Sequence, residues 1–193
     1  MDSSDLIIAV SVAVILVVAL GIAYIQNKAR GERLARQAEK RGGEIRKGNL
    51  FRLTELRIPF QDAVIVLRTV PGSKHSPPKT IAQVKLDSPR LPAVRFLRNN
   101  LMQKAFAAFG KERLLTGDEE FDSQWIMQAD DPFIIHKLVT TEFKSRLAER
   151  VLRSLDIRIQ PQEASFTIIT IPSDDEGYDN FIDTVVLVLQ KFL

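Results

Sequence analysis

Two histidines, no cysteine and three short acidic runs are where residue type and spacing could support chemistry in these 193 residues. The missing cysteine removes disulfides, thiolate zinc sites and Cys nucleophiles. His75 sits in a Gly-Ser-Lys-His-Ser-Pro-Pro loop, and His136 in the first turns of a helix that opens at Asp131-Pro132. Neither has a partner at a spacing that would make it a general base or a metal ligand, so both read as surface residues. The chain has no Gly-rich phosphate loop and no serine in a nucleophile-elbow pattern.

The acidic runs are Asp118-Glu119-Glu120-Phe121-Asp122, Asp130-Asp131 and Asp174-Asp175-Glu176. Carboxylates at the two ends of the strand between the first two could serve a metal or an acid–base pair. A seven-residue strand, however, would hold Asp122 and Asp130 on the order of 25 Å apart, too far to share one ion. Local roles account for the rest. Asp118 suits a Gly-Asp turn and Asp131 a helix cap, and the third run supplies negative charge at the N-terminus of the last helix. That run also lacks the alternating ligands and terminal Glu of a calcium loop. No catalytic residue, cofactor or metal is therefore expected.

The elements that would carry such residues divide the chain by charge. Residues 1–25 hold only Asp2 and Asp5, residues 26–52 hold nine Lys/Arg against three Glu, and residues 53–193 are nearly balanced, 18 basic against 19 acidic. A nucleic-acid reader would carry its basic patch on the folded part, so nucleic acid is not an expected partner. Leu6 to Ile25 is a run of twenty residues without a charge, about 30 Å as a helix, which predicts a transmembrane helix. Its acidic N-terminal flank and basic C-terminal flank predict a single-pass protein of the inner (plasma) membrane, N-terminus outside and the rest cytosolic. Expected boundaries are 1–26 for the tail and span, 27–50 for a basic juxtamembrane helix or linker broken at Gly42-Gly43, and 51–193 for a soluble domain. Lys28, Arg30, Arg33 and Arg36 are the candidate contacts to anionic lipid headgroups at the bilayer surface. Ala9-x-x-x-Ala13 and Ala19-x-x-x-Ala23 permit close helix approach and hence a homo-oligomer.

In the domain, Asp62–Val70 and Thr80–Leu86 read as an antiparallel strand pair, and Leu101–Phe109 as a helix stopped by Gly110. Gln124–Ala129 reads as a strand. Two helix starts follow, at Asp131-Pro132 and at Thr140 or Thr141, the second with a seam of Phe143, Leu147, Val151 and Leu155. Ile157–Ile159 and Phe166–Ile171 are strand-like, and Tyr178–Leu193 is a helix docked on the sheet. The fold class is α+β, an N-terminal transmembrane helix followed by a mainly antiparallel sheet packed with helices.

The run Gly117-Asp118-Glu119-Glu120-Phe121-Asp122, a strand, Asp130-Asp131-Pro132 and then Leu138-Val139-Thr140-Thr141 resembles a family of uncharacterised bacterial membrane-anchored proteins. Their soluble part carries a Gly-Asp-x-x-Phe-Asp segment. The resemblance implies a bacterial source and a membrane anchor, and it assigns no activity and no site residue. The leading functional expectation is a non-enzymatic interaction or scaffolding module that holds a protein partner. One alternative is a hydrolase or metal-dependent enzyme using Asp118, Asp122, Asp130, Asp131 and Asp175. The other is a module that senses anionic lipid.

Overall fold

The computed structural model describes residues 3–48, 53–99 and 113–193. Eight strands form one sheet: β1 (Glu44–Arg46), β2 (Glu55–Phe60), β3 (Ala63–Val70), β4 (Lys79–Lys85), β5 (Val94–Arg98), β6 (Trp125–Ala129), β7 (Asp156–Gln160) and β8 (Glu163–Ile168). Their order is β1-β2-β3-β4-β8-β7-β5-β6, and every neighbouring pair is antiparallel. Five α-helices accompany them among the described residues: α1 (Ser3–Lys40), α2 (Glu119–Gln124), α3 (Phe133–Leu138), α4 (Thr141–Leu147) and α5 (Asp175–Gln190).

Side chains of a strand alternate between faces, so alternation decides which face is covered. One face presents Leu56, Ile58, Ile65, Leu67, Ala82, Val84, Phe96, Ile157, Ile159, Ala164, Phe166 and Ile168, all buried. Tyr178, Phe181, Ile182, Val185, Val188 and Leu189 of α5 close over it, with Phe143 and Leu147 of α4. The alternate residues of the same strands face the other way: Gln83, Arg158 and Ser165 stay half-exposed or exposed there, whereas Leu97, Ile126 and Gln128 on β5 and β6 are buried. The expected α+β class with a mainly antiparallel sheet is what the chain adopts.

The membrane expectations are corrected here. Residues 6–25 do not form a separate element: they lie in α1, one helix of 38 residues. Among the described residues no helix is long and apolar enough to cross a membrane. The helix that holds the twenty apolar residues continues to Lys40, and its charged half docks on the domain. Leu34 and Ala38 of that half are buried against the core. The transmembrane, single-pass and inner-membrane readings, with the N-terminus outside and the domain cytosolic, rested on that span and fall with it. Val12, Val14, Ile15, Val17, Val18, Ile22, Tyr24 and Ile25 are exposed along α1. The side chains of Ala9, Ala13, Ala19 and Ala23 lie outside the described residues, as does the expected helix at Leu101–Phe109.

α1 ends where the two glycines stand. Gly42 adopts φ +62°, which a side chain disfavours, and a Cβ on Gly43 would meet the Arg57 carbonyl oxygen at 2.5 Å. That tight exit feeds β1 directly into the sheet. A further difference concerns α4, which stops at Leu147 instead of carrying its seam to Leu155. A 3-10 turn at Arg150–Leu152 follows and buries Leu152 and Leu155, leaving Val151 half-buried.

A candidate interaction groove

The acidic runs are used locally. Asp118 accepts from the Phe121 N–H as the cap of α2 and pairs with Lys144 at 2.6 Å, which holds its carboxyl below the usual range. Asp122 turns back and accepts from the Thr116 and Gly117 N–H groups and from the Thr116 hydroxyl. Between them Gly117 takes φ +84° and Phe121 is buried beside Phe96. The Gly-Asp-x-x-Phe-Asp segment is thus a self-bonded turn that anchors an aromatic ring. Asp131 caps α3 by accepting from the Phe133 N–H, and Asp174 caps α5 by accepting from the Gly177 N–H. Among the described residues no group of three or more His, Asp or Glu could hold a metal ion. His75 and His136 are exposed.

The four basic candidates on α1 are placed differently from one another. Arg36 pairs with Asp175 through two hydrogen bonds of 2.8 and 3.3 Å. Lys28 is exposed, while Arg30 and Arg33 are half-buried beside α5. Their charges act on Tyr178, a fully buried side chain whose hydroxyl has no hydrogen-bond partner and whose pKa burial pushes up to about 12. Further along, Lys40 pairs with Asp179 at 2.8 Å, and Arg41 bridges Asp179 at 2.8 Å and Asp183 at 2.7 Å. Asp175, Asp179 and Asp183 stand four residues apart and share one face of α5. This clasp was not anticipated, although that spacing of acids in the last helix was its signal.

The arrangement best suited to a partner lies at the opposite end of α5. Between the start of β5 and α3 a groove of about 600 Å³ is lined by Leu91, Pro92, Ala93, Ile134, Pro161 and Phe192. Asp131-Pro132 fixes how α3 begins, and the first turn therefore points Phe133 outward onto the groove's lip, 79% exposed. Lys137 stands over the Phe192 ring, 5.4 Å from its centre, and Arg90 pairs with Asp62 at 2.6 Å. An apolar floor, a projecting aromatic ring and a charged rim form the usual anatomy of a protein-binding hot spot. Sequence alone marked the turn at Asp131-Pro132 but could not say that Phe133 faces away from the core.

No family model and no curated protein matches the chain. Its structure is similar to the crystal structure of the mycobacterial trehalose monomycolate transport factor A, TtfA. The TM-score is 0.55 at 9% sequence identity, over 84% of this chain and 93% of that one. The two share a fold.

Proposed function

We propose that this protein is a non-enzymatic interaction module that serves lipid transport by holding a protein partner in the groove beside α3. The observation that carries the reading is Phe133, a large apolar side chain left 79% exposed at the edge of an apolar groove. Burying such a ring in a partner would contribute about 2 kcal/mol from area alone, an unfavourable exposure for a side chain with no contact to make. The shared fold with a trehalose monomycolate transport factor supports lipid transport as the process served.

A photocrosslinking amino acid in place of Phe133 tests this in the source organism, with the same group at exposed Glu149 as control. One defined protein crosslinked from position 133 and not from 149, and lost in a Lys137→Asp background, is the expected result. Pulse-labelled envelope lipid should then reach its destination more slowly in a Phe133→Asp strain. Equal crosslinking from both positions, or normal lipid flux with Phe133→Asp at wild-type protein level, would refute the reading.

Contact of Lys28, Arg30 and Arg33 with anionic headgroups is a second proposal. It is favoured by the absence, among the described residues, of an ion pair to any of the three, in contrast to Arg36, Lys40 and Arg41. Replacing all three by Gln should release the protein from phosphatidylglycerol-containing vesicles, and unchanged co-sedimentation would exclude it.

A further inference from the structure

The first half of α1 is apolar and uncovered. Every described side chain from Ser11 to Lys28 is exposed, and Ile15, Val18, Ile22 and Ile25 are each more than half exposed. These four stand at intervals of three, four and three residues, the spacing that keeps one stripe of a helix turned toward a partner. In the sequence Ser11 and Ile8 continue the same spacing toward the N-terminus. Toward the domain the stripe stops. After Ala29 its next positions are Glu32 and Arg36, and Arg36 is engaged with Asp175. At about 100° per residue the stripe points about 160° away from Leu34 and Ala38, through which α1 docks on the core. A second helix can therefore lie along it without meeting the domain.

We propose that the occupant is a second copy of this chain, its α1 lying antiparallel along the stripe with Ile15 of each copy level with Val18 of the other. A two-fold contact needs a surface complementary to itself, in which residue i meets j and j meets i. Reversed about the midpoint between Ile15 and Val18, the stripe maps onto itself: Ser11 falls level with Ile22, and Ile8 with Ile25. The same reversal sets Asp5 level with Lys28, so the acidic end of one helix meets the start of the basic run of the other. A parallel pair would instead set Lys28 beside Lys28 and acid beside acid, and like charges in contact are destabilising. Overlap from residue 5 to residue 28 gives a strip about 36 Å long, covering on the order of 500 Å² on each copy. The pair then reaches about 1,000 Å² in all, the size at which specific interfaces begin. The pairing rests neither on the groove beside α3 nor on lipid transport as the process served.

The chain has no cysteine, so thiols introduced into the full chain report alone. Under mild oxidation, Ser11→Cys chains mixed with Ile22→Cys chains of a different tag size should form the mixed disulfide. Neither variant should link to its own kind, because the reversed register sets like positions about 16 Å apart, beyond the reach of a disulfide. Val17→Cys and Tyr24→Cys, on another side of α1, should form no link. In sedimentation velocity the parent should run as two chains. Ile22→Asp should weaken the pairing at least about tenfold by setting a charge in the apolar contact, and Tyr24→Asp should leave it unchanged. Both positions are exposed and outside the core, so the melting curve of the domain should be the same in both variants. Single chains only, links between like positions, or pairing indifferent to Ile22→Asp would overturn the proposal. Neutral phosphatidylcholine vesicles that take up the protein and abolish the mixed disulfide would show lipid as the cover of this stripe, and would overturn it as well.

Discussion

Ser165 and Phe166 are neighbours on β8 and live in different environments. Phe166 points into the covered face and is fully buried, whereas Ser165 points to the other face and is half-buried. The same division runs along β4, where Ala82 and Val84 are buried and Gln83 is not. One face of the sheet is thus occupied with stability, and its residues are replaceable only by others of similar shape. At β4, β8 and β7 the other face presents Gln83, Ser165 and Arg158 in register and half-exposed or exposed, so it contributes less to stability there.

That division is broken most sharply by paired substitutions on one strand. Phe166→Ala should lower unfolding free energy by about 3–5 kcal/mol through lost burial and the cavity left behind. Ser165→Ala, one residue away, should stay within about 0.5 kcal/mol. Chemical denaturation of the two variants measures both. A large loss in the Ser165 variant would mean that this part of the other face is structural too, and the distinction would fail.

The seam between α1 and α5 offers the next largest effect. Arg41 is largely buried between Asp179 and Asp183, and the Gln37 side-chain oxygen accepts from its Nε at 3.0 Å. Arg41→Ala would leave Asp179 to the exposed Lys40 and Asp183 to the more distant Arg146, and should cost about 1–3 kcal/mol. Arg36→Ala removes a pair whose members are about half exposed and should cost under about 1 kcal/mol. Hydrogen exchange in residues 30–40 would report loosening of the helix in the Arg41 variant and much less in the Arg36 variant.

Much of the covered face was legible in the sequence, and the reasons are specific. β3, β4 and β6 announced themselves by β-branched or aromatic density bounded by Pro, Gly or Asp, and α5 by its apolar repeat. β2 was missed because Pro59 stands inside it. Strand β1 reaches only Glu55, Leu56 and Arg57, so beyond it β2 is an edge where the missing N–H of Pro59 costs nothing. β5 was missed because its five residues, Val-Arg-Phe-Leu-Arg, are few and do not alternate, Phe96 and Leu97 both being buried. The sites were less legible than the fold. The Arg95–Arg158 juxtaposition depends on the pairing of β5 with β7, which sets these residues opposite each other across 63 positions of sequence, and no local pattern encodes that. The clasp joins residues nearly 140 apart, and a basic run beside an apolar one reads as a membrane flank until α5 is known to lie against it.

Tyr178 sharpens the comparison from within the covered face. Its ring is part of the core, and its hydroxyl is a buried polar group without a partner. Removing an unsatisfied buried donor relieves a desolvation penalty, so Tyr178→Phe should raise stability by about 1 kcal/mol. A loss of that size, measured by denaturant midpoint at constant m-value, would mean that the hydroxyl has a partner in solution. The same substitution in the Arg41→Ala background would show whether the two act on one seam or independently.

The smallest effect concerns the pH dependence of two aspartates, one in each region. Lys144 and the α2 N-terminus hold the Asp118 carboxyl below its ordinary value. Its contribution is present above the unfolded pKa and is lost as pH falls through the folded one. Burial pushes the Asp156 carboxyl up in spite of Arg95 and Arg158, and burial likewise pulls the Arg95 guanidinium down. For Asp156 the sign reverses: its titration favours the folded state at low pH, and that contribution is lost as pH rises through the folded value. Stability measured from neutral to acid pH should therefore fall less steeply in Asp118→Asn than in the parent, and more steeply in Asp156→Asn. Matching slopes for the two variants would mean that Arg95 compensates the partly buried Asp156 carboxylate fully.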